Sequence, residues 1–119
     1  MAKHILDGQK GEAIACSYLE KSGYTILHKN WRYKRYEIDI IAQEFETLVF
    51  IEVKTRKNNT FGEPVDFVDD NKIKNLMAAS EAYLYEKDYQ GEIRFDIVSI
   101  LMDDAKPQIK LFRDAFWSD

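Results

Sequence analysis

The sequence predicts an α/β fold with a mixed sheet, and three observations lead there. Apolar residues recur at three- and four-residue steps in two segments, 7–23 and 70–87, which is the period of a helix. Segments 24–31, 37–42, 47–53, 92–101 and 107–112 are rich in Ile, Val, Phe and other strand formers. The order is helix, three strands, helix, strand, strand. An antiparallel meander therefore comes first, and a crossover helix then permits a parallel neighbour.

Each element has its own signals. In "DGQKGEAIACSYLEKSG" (7–23), Asp7 suits a cap, Ala15 and Leu19 lie on an apolar side, and Gly23 suits the stop. "YTILHKNW" (24–31) follows as a first strand. "EIDIIA" (37–42) and "TLVFIEV" (47–53) are joined by polar "QEFE", which predicts a hairpin. A symmetric turn through Glu44, Phe45, Glu46 and Thr47 sets residues whose numbers sum to 91 opposite one another. "KNNTFGEPVDFVD" (57–69) has the Asn, Gly and Pro content of a long loop. Ile73, Leu76, Met77, Tyr83 and Leu84 mark the apolar side of the second helix, and Gly91 belongs to its exit loop. "EIRFDIVSIL" and "PQIKLF" complete the sheet.

Composition narrows the class. The chain of 119 residues, 45% hydrophobic and 32% charged, reads as one domain spanning 1–119, with no repeat, low-complexity tract or linker. No run approaches the roughly 18 apolar residues of a membrane span, and the N-terminal stretch lacks a signal peptide's apolar core, so a cytoplasmic protein is expected. A single cysteine, Cys16, fits that reducing compartment and excludes an internal disulfide or a cysteine-based zinc site. The net charge of −4 argues against strong unspecific attraction of the whole surface to nucleic acid. Its distribution points the other way at one place. "HKNWRYKRY" (28–36) interleaves Lys29, Arg32, Lys34 and Arg35 with Trp31, Tyr33 and Tyr36, and "KTRK" (54–57) adds a second basic cluster. Such a strip can hold a phosphate backbone and stack on bases; a solvated turn between strands has the same composition.

Two acids stand where a core strand would carry none. Strand alternation puts Glu37, Asp39 and Ile41 on one face and Ile38 and Ile40 on the other, while Leu48, Phe50, Glu52 and Lys54 share a face of the next strand. With the symmetric turn, Asp39 faces Glu52 and Glu37 faces Lys54. Like charges directly opposed across a hairpin are destabilising unless compensated. A hard divalent cation such as Mg²⁺ compensates them; a wet-edge ladder neutralised by Lys54 is the competing reading. The apolar company of Ile38, Ile40, Ile41, Val49, Phe50, Ile51 and Val53 weighs against a simply exposed face. Lys54 beside the cation could orient a water or stabilise charge developing on a phosphate. Together the groups describe metal-assisted hydrolysis of a phosphodiester.

These residues resemble the PD-(D/E)xK motif of restriction-endonuclease-like nucleases, with Asp39 as the aspartate and "EVK" as Glu52, Val53 and Lys54. More closely, the chain resembles the uncharacterised bacterial YraN-like family over nearly its whole length, in "GEAIACSYLEKSGYTILHKNWR", "EIDIIA", "FIEVKTR", "FGEP", Lys72 and "RFDIVSI". The resemblance implies an αβββαβ core with a mixed central sheet flanked by helices. It implies that Asp39, Glu52 and the main-chain carbonyl of Val53 hold Mg²⁺, for which Mn²⁺ would substitute, with Lys54 beside them. Related archaeal-type Holliday-junction resolvases carry an early helical glutamate that reaches the metal, which draws attention to Glu12; an acid favourable to the helix dipole is its plainer reading. Those resolvases pair, which implies a homodimer, and they imply DNA, branched intermediates included, as the substrate. The family commonly has Gly before its E-I-D stretch. This chain has Tyr36 at that place, which would either narrow the approach to the metal or stack on a base.

The function expected is thus a Mg²⁺-dependent endonuclease, with a nucleic-acid-binding module of little or no turnover as the alternative. Arg32, Lys34, Arg35, Arg56 and Lys72 are the candidate nucleic-acid contacts; Arg56, Lys72 and Lys74 also read as ordinary surface cations. Asp96 and Arg94 are expected to form a structural ion pair rather than a third metal ligand. His4 and His28 form no spaced pair and receive no role.

Overall fold

A computed structural model describes residues 2–57, 70–102 and 106–116, with side chains from residue 10 onward. The described elements come in the expected order: α1 (Ala2–Lys21), β1 (Thr25–Tyr33), β2 (Tyr36–Glu44), β3 (Thr47–Arg56), α2 (Asp70–Glu86), β4 (Glu92–Leu101) and β5 (Gln108–Phe112). The loop read at 57–69 lies outside the described residues except for Lys57, and "FGEP" lies outside them with it. One boundary differs clearly. α1 begins at Ala2, so Asp7 sits inside the helix and is not its cap; residues 2–6 hold no Pro or Gly to stop the helix from extending backward. Its end is as expected. Gly23 takes φ 100°, a left-handed conformation that costs glycine little, and the Tyr24 N–H donates to the Leu19 carbonyl at 2.9 Å.

The five strands form one sheet in the order β1-β2-β3-β4-β5. Pairing is antiparallel except for β3 with β4, which are parallel and joined through α2. The architecture is the αβββαβ core with one further edge strand. α1 covers one face, where Ala15 and Leu19 pack on Ile40, Ala42, Val49, Ile51, Val98 and Ile100. α2 covers the other, where Leu76, Ala79 and Tyr83 pack on Ile38, Ile41, Leu48, Phe50 and Phe95. Helices on both faces explain why β3 and β4 read as continuous apolar runs rather than as alternating ones.

Alternation fails at two places in the β1–β2 pair, a register shift between Ile26 and His28 and a rung nearer the β1–β2 turn, and the second matters here. Ile38 and Ile40 do not share a face: Ile38 joins Ile41 under α2, while Ile40 joins Ala42 under α1. The neighbouring strand turns over at the same level, since His28 and Trp31, three apart, both meet the Tyr83 ring edge-on. Between them Asn30 adopts φ 53°, and the pairs Lys29↔Ile40 and Trp31↔Ile38 bracket Asn30 and Asp39. A left-handed residue rotates the strand about its axis, so side chains three apart come to one face. Asp39 therefore occupies the break in β2 instead of a regular inward or outward position.

Candidate functional site

The β2–β3 hairpin has the register the symmetric turn predicts, with pairs from Glu44↔Thr47 to Ile40↔Ile51. It stops there. Beyond Ile40 the strands part, and the Asp39 carboxylate accepts a hydrogen bond from the Val53 N–H at 2.9 Å, in place of a backbone partner. Asp39 and Glu52 are thus not a ladder pair; a side chain has taken over the rung. The expected Glu37–Lys54 pairing is not formed either. Glu37 stays with β1, where its carboxylate lies 3.3 Å from Arg32 across the Arg32↔Glu37 pair. β2 follows β1 after the break, so Glu37 pairs with Arg32 and not with Lys54.

Glu52 is buried, at 3% exposure, on the face that carries Leu48 and Phe50. Its carboxylate meets the Lys72 ammonium of α2 at 2.5 Å. Asp39 and Glu52 line one cleft of about 430 Å³ together with Arg35, Tyr36, Lys72 and Asn75. Burial, then the charge of Glu52, pushes the Asp39 carboxyl up to about 7, against the Val53 hydrogen bond, which favours its charged form. The charge of Glu12 adds to that rise. Glu12 is half-buried on α1, and α1 lies close to β3 because Gly11 leaves room for the Thr55 hydroxyl. Lys54 is held below its ordinary value by burial and by the Lys72 ammonium next to it. For Lys72, burial is the largest influence and works against the charge, but the hydrogen bond and charge of Glu52, with Lys54 and Asp39, together outweigh it and the value rises.

Two backbone and side-chain details bear on cation binding. In a strand, the N–H and C=O of one residue point to the same side, as the double exchange between opposed residues requires. The Val53 carbonyl is therefore directed, like its N–H, into the gap that β2 leaves. On β4, beside Lys54, the buried Ser99 hydroxyl has no hydrogen-bond partner among the described residues. Two carboxylates and a carbonyl are hard oxygen donors of the kind Mg²⁺ takes alongside waters and substrate oxygens. Among the described residues no three His, Cys, Asp or Glu side chains gather into a site that could hold a metal by themselves, so a closed zinc-type cage is not what this cleft offers. The donor set and the mutual repulsion of Asp39 and Glu52 fit Mg²⁺.

The proposed nucleic-acid contacts divide. Lys34 and Arg35 are exposed at the β1–β2 turn, over the rings of Tyr33 and Tyr36 at 5.3 and 5.4 Å. Arg32 is exposed beside Glu37, and Arg56 is half-buried at the end of β3. Lys72 turns inward to Glu52 rather than out to solvent, while Lys74 is exposed. Trp31 and Tyr33 pack against the α2 cluster and are not a free stacking platform; Tyr36 lines the cleft. Of the cations in the basic strip, Arg35 alone among the described residues lines the cleft.

The Arg94–Asp96 ion pair is present, Nε to Oδ1 at 2.9 Å, and it belongs to a larger network. Arg94 and Arg113 both donate to Glu44 at 2.6 Å, the Tyr24 hydroxyl donates to Asp96 at 2.7 Å, and the Asp114 N–H donates to Asp96 at 2.9 Å. Glu44, Tyr24 and Arg113 escaped sequence reasoning because their partners are 50 to 72 residues away. Their one local signal is Glu44 itself, an acid in step with inward-facing Ala42. This network ties the C-terminal segment to the hairpin tip, away from the cleft.

Fold and site define a mixed α/β protein with an αβββαβ core and a cleft, lined by Asp39, Glu52 and Lys72 among others, where its central hairpin parts. Residues 11–100 match the family described as "Uncharacterised protein family UPF0102", and the chain belongs to that family. It is 44% identical over 117 residues to a UPF0102 protein of Flavobacterium psychrophilum, covering 98% of both chains. It is 46% identical over 121 residues to one of Flavobacterium johnsoniae, again with 98% of both covered. A UPF0102 protein of Cytophaga hutchinsonii is 46% identical over 98 residues, 82% of this chain and 87% of that one. No described helix is long and apolar enough to cross a membrane.

Proposed function

We propose that this chain is a Mg²⁺-dependent endonuclease, with Mn²⁺ as a substitute, that hydrolyses phosphodiester bonds of DNA or structured nucleic acid, branched intermediates included, and works as a homodimer in the cytoplasm. One observation carries the reading: β2 leaves β3 at Ile40↔Ile51, so Asp39 caps the Val53 amide and meets Glu52 and Lys72 in a single cleft. Asp39, Glu52 and the Val53 carbonyl would hold the cation. When bound, Mg²⁺ supplies charge neutralisation at the scissile phosphate.

The protein's own groups do the rest. Lys54, half-buried, keeps a positive charge beside the carboxylates, where it can orient an attacking water or face the developing phosphate charge. Glu12 adds negative field that favours retention of a cation. Lys34, Arg35 and Arg56 hold the backbone, and Tyr36 at the cleft either stacks on a base or restricts entry. A module that binds without cutting is favoured by one observation, the Lys72 ammonium already seated on Glu52. A cleavage assay on linear, single-stranded and four-way substrates with Mg²⁺ or Mn²⁺ decides. Wild type should cut at least one substrate and Asp39→Asn should lose that activity. Wild type and Asp39→Asn behaving alike on every substrate sinks the nuclease reading, and binding without cutting favours the module.

A further inference from the structure

We infer that Lys72 is an internal stand-in for the divalent cation, seated on Glu52 while the cation is away and expelled when it arrives. The inference rests on the cation reading and says how access to that site is controlled. Glu52 has a side chain only 4% exposed, so water hydrates it little, and Asp39 shares its cleft. An unpaired carboxylate there would be costly; the Lys72 ammonium at 2.5 Å offsets part of that cost.

The same geometry makes the contact reversible. Lys72 is the third residue of α2, and its side chain is 43% exposed, so rotation of its stem carries the ammonium into solvent without unfolding anything. Lys54 lies next to it, so two ammonium groups already share the site. A divalent cation arriving beside Glu52 would bring three positive groups against two carboxylates, and Lys72 is the one with a way out. Displaced to the rim, it stands with Arg35 at the cleft mouth, placed to meet a phosphate oxygen. Binding of the cation and presentation of a substrate-facing charge are thereby one event.

The experiment is Mn²⁺ titration by calorimetry, at fixed ionic strength, of EDTA-treated and dialysed wild type, Lys72→Met, Lys74→Met and Asp39→Asn. Lys74 is exposed on the same helix and controls for loss of one positive charge. Lys72→Met should bind Mn²⁺ at least tenfold more tightly than wild type, Lys74→Met within about twofold, and Asp39→Asn much more weakly; a tenfold change is about 1.4 kcal/mol. If Lys72→Met does not fold, Lys72→Gln replaces it with the same expectation. Affinity unchanged or weakened in the Lys72 variant, or tightened equally in the Lys74 variant, overturns the stand-in role and leaves the cation reading intact. No Mn²⁺ binding by any of the proteins overturns both.

Discussion

Replacing Asp39 by Asn should make the metal-free protein more stable at pH 8, although it removes a residue at the heart of the site. The Asn side chain keeps the size of Asp and an oxygen to accept the Val53 N–H at 2.9 Å, so the rung that closes the hairpin is retained. What disappears is a half-buried negative charge beside Glu52. The Asp39 carboxyl rises from its ordinary 3.8 to about 7, through burial first and Glu52 second. A carboxyl whose value is higher in the folded chain than in the unfolded one adds stability when both are protonated, and that contribution drains away as pH climbs from about 4 to about 7. At 1.36 kcal/mol per pH unit the interval sets a ceiling of about 4 kcal/mol. Lys72 and the shared titration of the two carboxylates lower it, so a gain of about 1–3 kcal/mol is expected. The assay is urea unfolding in EDTA, followed by tryptophan fluorescence at pH 5, 6, 7 and 8, with Trp31 packed on Tyr83 as reporter. The difference between variant and wild type should grow from pH 5 to pH 8. A variant equal to or less stable than wild type at pH 8, or a difference independent of pH, refutes the account of Asp39 as a strained site carboxylate.

Three further outcomes test the frame around the cleft. Gly11→Ala should cost about 1–3 kcal/mol, because its new methyl group runs into the Thr55 hydroxyl, and Thr55→Ala in the same chain should recover most of that loss in thermal melts. Phe45, 90% exposed at the β2–β3 tip with φ 54°, holds a left-handed backbone that suits Asn far better; Phe45→Asn should add about 0.5–1 kcal/mol, seen as a higher melting temperature. Glu44 is held at about 2 by the hydrogen bonds of Arg113, outweighing burial, and then of Arg94. Its contribution is full above its ordinary 4.5 and is lost as pH falls toward 2, so Glu44→Gln should cost about 3 kcal/mol at pH 7 and progressively less in urea unfolding between pH 5 and pH 3.

The fold was legible because local signals and global packing agree. Apart from the start of α1, apolar period, glycine at the end of α1 and the polar "QEFE" turn place the elements within a few residues, and the turn places the register of the central hairpin, since side chains of period two allow no slip without exposing a core face. The acids of the site and the lysine after them were also readable, because carboxylates among Ile, Val and Phe are conspicuous. Asp39 and Glu52 do share a cleft.

The tertiary structure alone decided how they share it. Asn30 turns β1 over, Asp39 replaces a backbone rung at Val53, and the hairpin parts where a simple ladder would continue. No periodicity encodes that break, because it depends on the conformation of one residue on a different strand. Lys72 is the second case. From the sequence it is a cation on the first turn of a helix, free to face solvent or a phosphate; only packing of α2 over the sheet brings it onto Glu52 at 2.5 Å. The Glu44–Arg94–Arg113 network is the third, assembled from residues 50 and 69 positions apart. By itself the sequence determined which residues are inward, charged and at hand, since burial and periodicity are local properties. Which charge neutralises which was decided by the closing of the sheet and the docking of α2, because Coulomb energy depends on distance in space, and distance along the chain says little about it.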